Sequence, residues 1–277
     1  MADSTGVRDL VIGILGGTGD QGQGLAWRFA ASGLTVLIGS RDVARAEAAA
    51  AAVRASSPSG SCQGAANDEV AHRADLVVVA VPYSGHAATL EGLREPLAGK
   101  IVVDCVNPLG FDQRGPFALQ VPEGSAAQQA ATILPDSRVV AAFHHVSAVL
   151  LGDPAGSHID LDVLVLGDDR AATELVQELA AVIPGVRGVF GGRLRNAGQI
   201  EALTANLVAI NRRYRAHAGI RITDVLLPSS PAPSSPAPSS PATLPRVPQL
   251  RAVPADDAVS QPRSGRQLRR AAGGGAR

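Results

Sequence analysis

The sequence predicts an α/β protein built on a doubly wound, mostly parallel sheet, with a small C-terminal α/β extension and a disordered tail. Three observations lead there. Unbroken apolar runs recur, as in LVVVAV at residues 76–81 and IVVDCV at 101–106, and such runs mark strands buried on both faces. Helical patterns separate the runs, which is the alternation of a sheet covered by helices. The character of the chain then changes at Pro228, where a Ser-Ser-Pro-Ala-Pro repeat begins.

The elements follow in order. Residues 11–15 form a short apolar run entering glycines. Residues 21–31 have a helical rhythm at Leu25, Phe29 and Ala30. Residues 35–38 are a second β-rich run ending at Gly39-Ser40-Arg41. Residues 43–55 are alanine-rich and helical. Residues 76–81 and 101–106 are strands, stopped by Pro82 and by Asn107-Pro108. Residues 86–93 are a helix candidate between them. Residues 139–143 are a fourth long β-run, followed by His144-His145. Residues 163–166 and 186–190 flank a helix at 171–182, and residues 197–213 are a last, longer helix. The expected division is residues 1–150 as the main α/β domain, 151–227 as a small C-terminal part, and 228–277 as the tail.

Composition bounds the function. Of 277 residues 45% are hydrophobic, enough for a core, so wholesale disorder is excluded. Basic and acidic residues tie at 25 each, but the neutral total is a cancellation. The tail holds ten of the 19 prolines and seven arginines against Asp256 and Asp257, so it is net +5; the rest is net −5. Aromatics are 3%, which argues against a base-stacking surface and against nucleic acid as partner. A basic tail could bind nucleic acid or an acidic partner, or be a dispensable extension; its arginines are scattered, with no interleaved aromatics, which favours the extension. Two cysteines, Cys62 and Cys105, make no disulfide framework and fit a reducing cytoplasm. No apolar run approaches the roughly 20 residues of a membrane span, and the polar start carries no signal-peptide pattern. A cytoplasmic protein is expected.

Within GGTGDQG, Gly17, Gly19 and Gly22 spell GxGxxG. The first glycine serves the tight turn, the second close approach to a pyrophosphate, and the third close helix–strand packing. The helix opening at Asp20 to Gly22 presents free N–H groups and a positive dipole end to phosphates. The motif alone is weak, since a glycine-rich turn imitates it. Here it follows a strand, opens a helix and lies in a βαβ unit. Where a ribose-binding acid normally ends the second strand, this chain has Ser40 and Arg41, then Arg45. A hydroxyl and two guanidiniums suit a 2′-phosphate and therefore NADP(H). Asp42, the one nearby acid, reads as a helix N-cap.

There are 24 arginines and one lysine, Lys100, just before the strand at 101–106. That places it at the N-terminal edge of the sheet, opposite the cofactor. Neither Tyr83 nor Tyr214 has a lysine four residues on. A lysine-assisted carbonyl reduction is therefore not expected. Either a proton comes from His86, His144 or His145, or no proton is needed, as when hydride passes between two stacked rings. His144, His145, Asn107 and Pro82 end strands, where ligands bind in such folds; a purely structural role stands beside that reading. In the last helix, Ile200, Leu203, Leu207 and Ile210 form a stripe that either closes a pocket, makes a dimer or packs as core.

Four segments together carry a resemblance: GILGGTGDQGQGLAWRFAASGLTVLIGSRDVARAEA, VAVPYSGHA, AAFHHVSAVLL and LRNAGQIEALTANLVAINRRY. They resemble the NADPH-dependent coenzyme F420 reductases, over residues 11–224 but not the tail. The resemblance implies a Rossmann-type domain, a small C-terminal part and a homodimer. It implies reversible hydride transfer between NADPH and F420, an 8-hydroxy-5-deazaflavin acting as co-substrate, with no covalent catalyst. It also implies that Thr18, Gly19, Asp20 and Gln21 cradle the phosphates and that Ser40, Arg41 and Arg45 hold the 2′-phosphate. Val81, Asn107 and Ala148 would line the nicotinamide, and His144, Val146 and Ser147 would pack the deazaflavin. Ser147 and His145 stand where archaeal members have Pro and Thr. Arg45 stands for a frequent Lys, and Tyr83 lies near a Trp position with one residue inserted before His86. Two other classes stay open: an NADP(H)-sensing regulator without catalysis, and an NADPH reductase of another small substrate using His144 or His145 as acid.

Overall fold

The structure, a computed structural model, describes residues 6–57, 60–153, 156 and 158–225. The expected tail, 228–277, lies outside the described residues. In chain order the elements are β1 (Val11–Leu15), α1 (Asp20–Ala31), β2 (Thr35–Ser40), α2 (Val43–Ser56), β3 (Ser61–Ala66), α3 (Asn67–Arg73) and β4 (Leu76–Val79). Then follow α4 (His86–Glu91), α5 (Arg94–Leu97), β5 (Ile101–Asp104), β6 (Leu109–Asp112), β7 (Gly115–Ala118) and α6 (Ala126–Ile133). Last come β8 (Arg138–Ala141), α7 (Ala148–Leu151), β9 (Leu161–Gly167), α8 (Arg170–Ala181), β10 (Val186–Gly192) and α9 (Ala197–Tyr214).

Eight strands form one sheet in the order β10-β9-β8-β5-β4-β1-β2-β3. All pairs are parallel except β8 with β9. This is a Rossmann-type sheet, and its strand order reverses between β1 and β4. The C-terminal edge at such a switch point opens a crevice where ligands bind. Residues 151–225 add β9, α8 and β10 to the same sheet, and α9 packs with α6 on one of its faces.

Period-2 alternation divides the core. Ile12, Ile14, Leu76, Val78, Ile101 and Val103 face α1, α2 and α8. Val77, Val79, Val102, Val139 and Ala141 face α3, α4, α5, α6 and α9. Both faces are covered, which is why the strands read as unbroken apolar runs.

Several elements carry weaker sequence patterns. Strand β3 (SCQGAA) is polar because it is an edge strand. Its Gly64 has no side chain because the α2 backbone at Ala46 and Glu47 lies directly on it. The β6–β7 hairpin turns on Asp112, whose carboxylate accepts the Arg114 and Gly115 N–H groups at 2.7 and 3.1 Å. Helix α6 is capped by Ser125, which accepts the Gln128 N–H at 2.9 Å. The expected boundaries elsewhere hold within a few residues. The strands read over 76–81, 101–106 and 139–143 each end two residues early, at Val79, Asp104 and Ala141, and Phe143 leaves the ladder with a positive φ of 65°.

Candidate functional site at the C-terminal edge of the sheet

The glycine loop joins β1 to α1. The left-handed residue is Gly16 (φ 71°), one position before the motif's first glycine. A side chain at Gly16 would meet the Ala80 carbonyl and the Val81 side chain, each at 2.8 Å, so the loop is seated on the end of β4. Gly17 donates its N–H to the Gly39 carbonyl at 3.1 Å, tying the loop to β2. A Cβ on Gly22 would lie 2.6 Å from the Gly17 Cα, so the third glycine lets α1 sit directly on the backbone of the loop that follows β1. Gly19 is exposed, and a Cβ there would meet only the Gly16 carbonyl, at an ordinary 3.7 Å. No side chain caps α1, so the N–H groups of Asp20, Gln21 and Gly22 remain available to an anion.

At the end of β2, Ser40 is buried and its hydroxyl accepts the Asp42 N–H at 3.1 Å. Asp42 caps α2 by accepting the Arg45 N–H at 3.2 Å, as the sequence led one to expect. Arg41 and Arg45 are exposed, and neither makes an ion pair among the described residues. Two exposed guanidiniums, with the intervening Asp42 carboxylate engaged by the Arg45 N–H, could hold a phosphate.

The segment after β8 crosses the same edge and is pinned to α1 at both ends. Gln21 Nε2 donates to the Phe143 carbonyl at 3.2 Å. Arg28, buried in α1, donates to the carbonyls of Leu150, Leu151 and Asp153 at 2.5, 2.9 and 3.0 Å. A side chain on Gly24 would strike Leu151, so α1 and α7 touch through backbone. Between these pins, Asn107 Nδ2 donates to the His144 carbonyl at 2.8 Å. The Thr204 hydroxyl from α9 lies 3.1 Å from that same carbonyl and 3.3 Å from Asn107 Oδ1.

Beneath the edge lies a buried polar cluster. Asp104 lies in the register of Val102 and so points to the α6–α9 face. Its carboxylate accepts His86 Nε2–H at 2.7 Å and the Val106 N–H at 3.0 Å. His86 Nδ1–H faces Gln129 Oε1 at 2.9 Å, and the Gln129 amide in turn donates to Glu123. Both ring nitrogens thus face acceptors, the pattern of an imidazolium. Burial opposes that charge, but the Asp104 hydrogen bond and carboxylate charge outweigh it and lift the His86 pKa. Glu201 from α9 accepts the Ala126 and Ala127 N–H groups at the start of α6, at 2.9 and 3.1 Å. Burial, against those two donors, pushes its pKa up to about 7. His144 Nε2 lies 4.0 Å from Glu201 Oε1, and neither ring nitrogen of His144 has a hydrogen-bond partner. Burial pushes the His144 pKa down to about 4.

The residues anticipated from sequence converge in part. Gly17, Thr18, Gly19, Asp20, Gln21 and Gly22 form the loop; Val81, Asn107 and Ala148 line the edge beside it; Ser40, Arg41 and Arg45 end β2. The rings of the three candidate acids are all buried. His86 and His144 are turned into the cluster, and His145 is buried with Nε2 on the Asp162 carbonyl at 2.8 Å. Val146 is buried in the core as well, whereas Ser147 is half-buried. Lys100 sits at the opposite edge of the sheet and caps α3 through the Ala71, His72 and Ala74 carbonyls at 2.6, 2.7 and 2.8 Å. In α9 the buried face is Ala197, Glu201, Ala205 and Leu207, while Ile210 of the expected stripe is exposed. Sequence reasoning missed Arg28, Asp104, Thr204 and Glu201. The signal for three of them was a charged residue inside an apolar pattern.

Glycine loop, switch point and paired arginines define a Rossmann-type dinucleotide-binding oxidoreductase scaffold. A profile of the family described as NADP oxidoreductase, coenzyme F420-dependent, matches residues 11–108. The chain is 41% identical over 221 residues to the F420-dependent NADP reductase of Methanothermobacter marburgensis, covering 77% of this chain and 98% of that one. It is 38% identical to the enzyme of the same name from Methanocaldococcus jannaschii, with the same two shares. A crystal structure from Arthrobacter sp. FB24, provisionally assigned as an F420-dependent NADP reductase, superposes with a TM-score of 0.66 at 30% identity, over 77% of this chain and 99% of that one. The chain belongs to the F420-dependent NADP reductase family.

Proposed function

We propose that this chain catalyses reversible hydride transfer between NADPH and oxidised coenzyme F420. The observation that carries the reading is the convergence of two stretches on one edge: the glycine loop after β1 and residues 143–148 after β8, joined by Gln21. NADPH, when bound, supplies the hydride at its nicotinamide C4, and the deazaflavin accepts it at C5.

Each residue's part follows from its place. The N–H groups of residues 18–22 receive the phosphates, and Ser40, Arg41 and Arg45 receive the 2′-phosphate. Val81, Asn107 and Ala148 line the nicotinamide side. The backbone of His144 and Val146, with Ser147, offers a surface to the deazaflavin, and Thr204 steadies it from α9. The proton that completes the reduction at the deazaflavin N1 comes from solvent, because all three candidate imidazoles are buried and Lys100 is at the far edge. Catalysis is then positioning, which converts a two-body encounter into an oriented one. In this division residues 1–150 carry NADP(H) and residues 151–227 complete the deazaflavin pocket.

We also propose a cytoplasmic homodimer with no nucleic-acid partner. Among the described residues no helix is long and apolar enough to cross a membrane. Phe111 and Phe117 on the hairpin and Ile210 and Tyr214 on α9 are exposed, with β7 against α9, which supports a protein contact there. The test of the activity is an absorbance assay with NADPH. Loss of the deazaflavin's visible band supports the reading, and no loss at any pH rejects it.

A further inference from the structure

The buried cluster holds more acid than base. Asp104 and His86 make a neutral pair, and His86 spends both ring nitrogens on Asp104 and Gln129. Glu201 is left as a second buried carboxyl with no cation of its own. A buried carboxylate is tolerated only with compensation, and here the compensation is two backbone N–H groups at the start of α6. The groups facing Glu201 are Asp104 from β5, His86 from α4, the start of α6, and His144 after β8. Asp104 repels a charge on Glu201 and His86 favours it. Glu123 is joined to the set only through Gln129. The nearest imidazole is that of His144, whose Nε2 lies 4.0 Å from Glu201 Oε1, beyond hydrogen-bond distance, and whose ring nitrogens are buried and unpartnered among the described residues.

Position then gives the cluster a role at the edge. Glu201 and Thr204 are three residues apart on α9 and share a face. Thr204 contacts the His144 carbonyl and Asn107. Asp104 fixes the Val106 N–H, one residue from Asn107. Charging Glu201 would set two carboxylates against each other under that triangle.

We propose that Glu201 is a positioning residue: while its carboxyl carries a proton it keeps α9, His144 and Asn107 in register, so the grip on the deazaflavin depends on pH. This rests on the deazaflavin assignment above. It assigns Glu201 no contact with either coenzyme and no step in the hydride transfer.

The test measures KM for oxidised F420 and kcat at saturating NADPH, between about pH 6 and about pH 8.5. It compares the full wild-type chain with Glu201→Gln and Glu201→Ala. The deazaflavin and the 2′-phosphate titrate themselves, so the readout is the ratio of wild-type to Glu201→Gln KM at each pH. A neutral amide keeps the protonated shape without the titration. The ratio should climb across the range, by up to ~10-fold per pH unit above about pH 7, with kcat changing less than KM. Glu201→Ala should raise KM at every pH. A flat ratio, or Glu201→Gln matching Glu201→Ala throughout, overturns the proposal. If Glu201→Gln does not fold, infrared spectroscopy of the wild type decides: a protonated-carboxyl band that titrates near neutrality supports it, and no such band at about pH 6 overturns it. Absence of turnover in the wild type would instead reject the proposed function, while the infrared result would still stand.

Discussion

Gln21, the second residue of α1, donates its side-chain amide to the Phe143 carbonyl at 3.2 Å. The helix that opens on the glycine loop therefore also holds the segment leading into His144. Phe143 adopts a left-handed conformation (φ 65°), which an aromatic residue keeps only when its surroundings hold it. Its ring is buried edge-on against Phe29 of the same helix, at 6.0 Å between centroids. Replacing Gln21 with Ala leaves the backbone N–H groups for the phosphates and removes the tie. KM for F420 should rise about fivefold, the equivalent of one hydrogen bond of about 1 kcal/mol, while KM for NADPH changes less. Equal effects on both would show that the tie is not what aligns the segment.

Arg41→Glu addresses cofactor choice. A charge-assisted hydrogen bond contributes about 1.5–3 kcal/mol, so affinity for NADPH should fall roughly 10- to 100-fold. NADH, lacking the 2′-phosphate, should be affected far less. Titration of both nucleotides by fluorescence checks it, and equal losses would remove Arg41 from the 2′-phosphate site.

Arg28→Met tests the pinning of α7. It removes three hydrogen bonds to backbone carbonyls and leaves those buried acceptors unpaired. We expect a stability loss of about 2–4 kcal/mol in urea denaturation. Amide exchange should quicken at Ala148–Leu151 before it quickens in β1. Uniform quickening would mean that Arg28 stabilises only the fold as a whole.

The pH dependence of stability has two opposed sources. His144 has its pKa pushed from an ordinary 6.5 down to about 4. Its contribution is fully present above about 6.5 and is lost as pH falls through about 4, because the unfolded chain takes the proton first. Glu201 is pushed from an ordinary 4.5 up to about 7. Its contribution is present below about 4.5 and is lost as pH rises through about 7. The His144→Leu variant should therefore lose less stability than wild type on acidification from about pH 6.5 to about pH 4. Glu201→Gln should lose less between about pH 5 and about pH 8. Thermal unfolding across pH checks both signs.

Much of the fold was legible because buried strands write themselves as unbroken apolar runs. β1, β4, β5 and β8 stand at the centre of the sheet, and all four were readable. Edge strand β3 was not, because packing under α2 selected small residues and exposure admitted polar ones. The glycine loop was legible because its geometry requires glycine. The orientation of the histidines was not legible, since adjacency to a strand end does not show which way a ring turns. His86, His144 and His145 all turn inward. Asp104 and Glu201 were hidden for a related reason: a buried acid is meaningful only once its partners from α4 and α6 are in place. What the sequence did offer was the oddity of an aspartate inside IVVDCV and a glutamate on the buried face of α9.

Direct hydride transfer between two stacked coenzymes, without an intermediate carrier, is the core of the proposed mechanism. The most direct test uses NADPH deuterated at both C4 positions, with oxidised F420 and the full chain in ordinary water, followed by mass spectrometry of the reduced deazaflavin. Direct transfer predicts one deuterium at C5 in nearly every molecule. Loss of the label to solvent, or reduction carrying no deuterium, would contradict it.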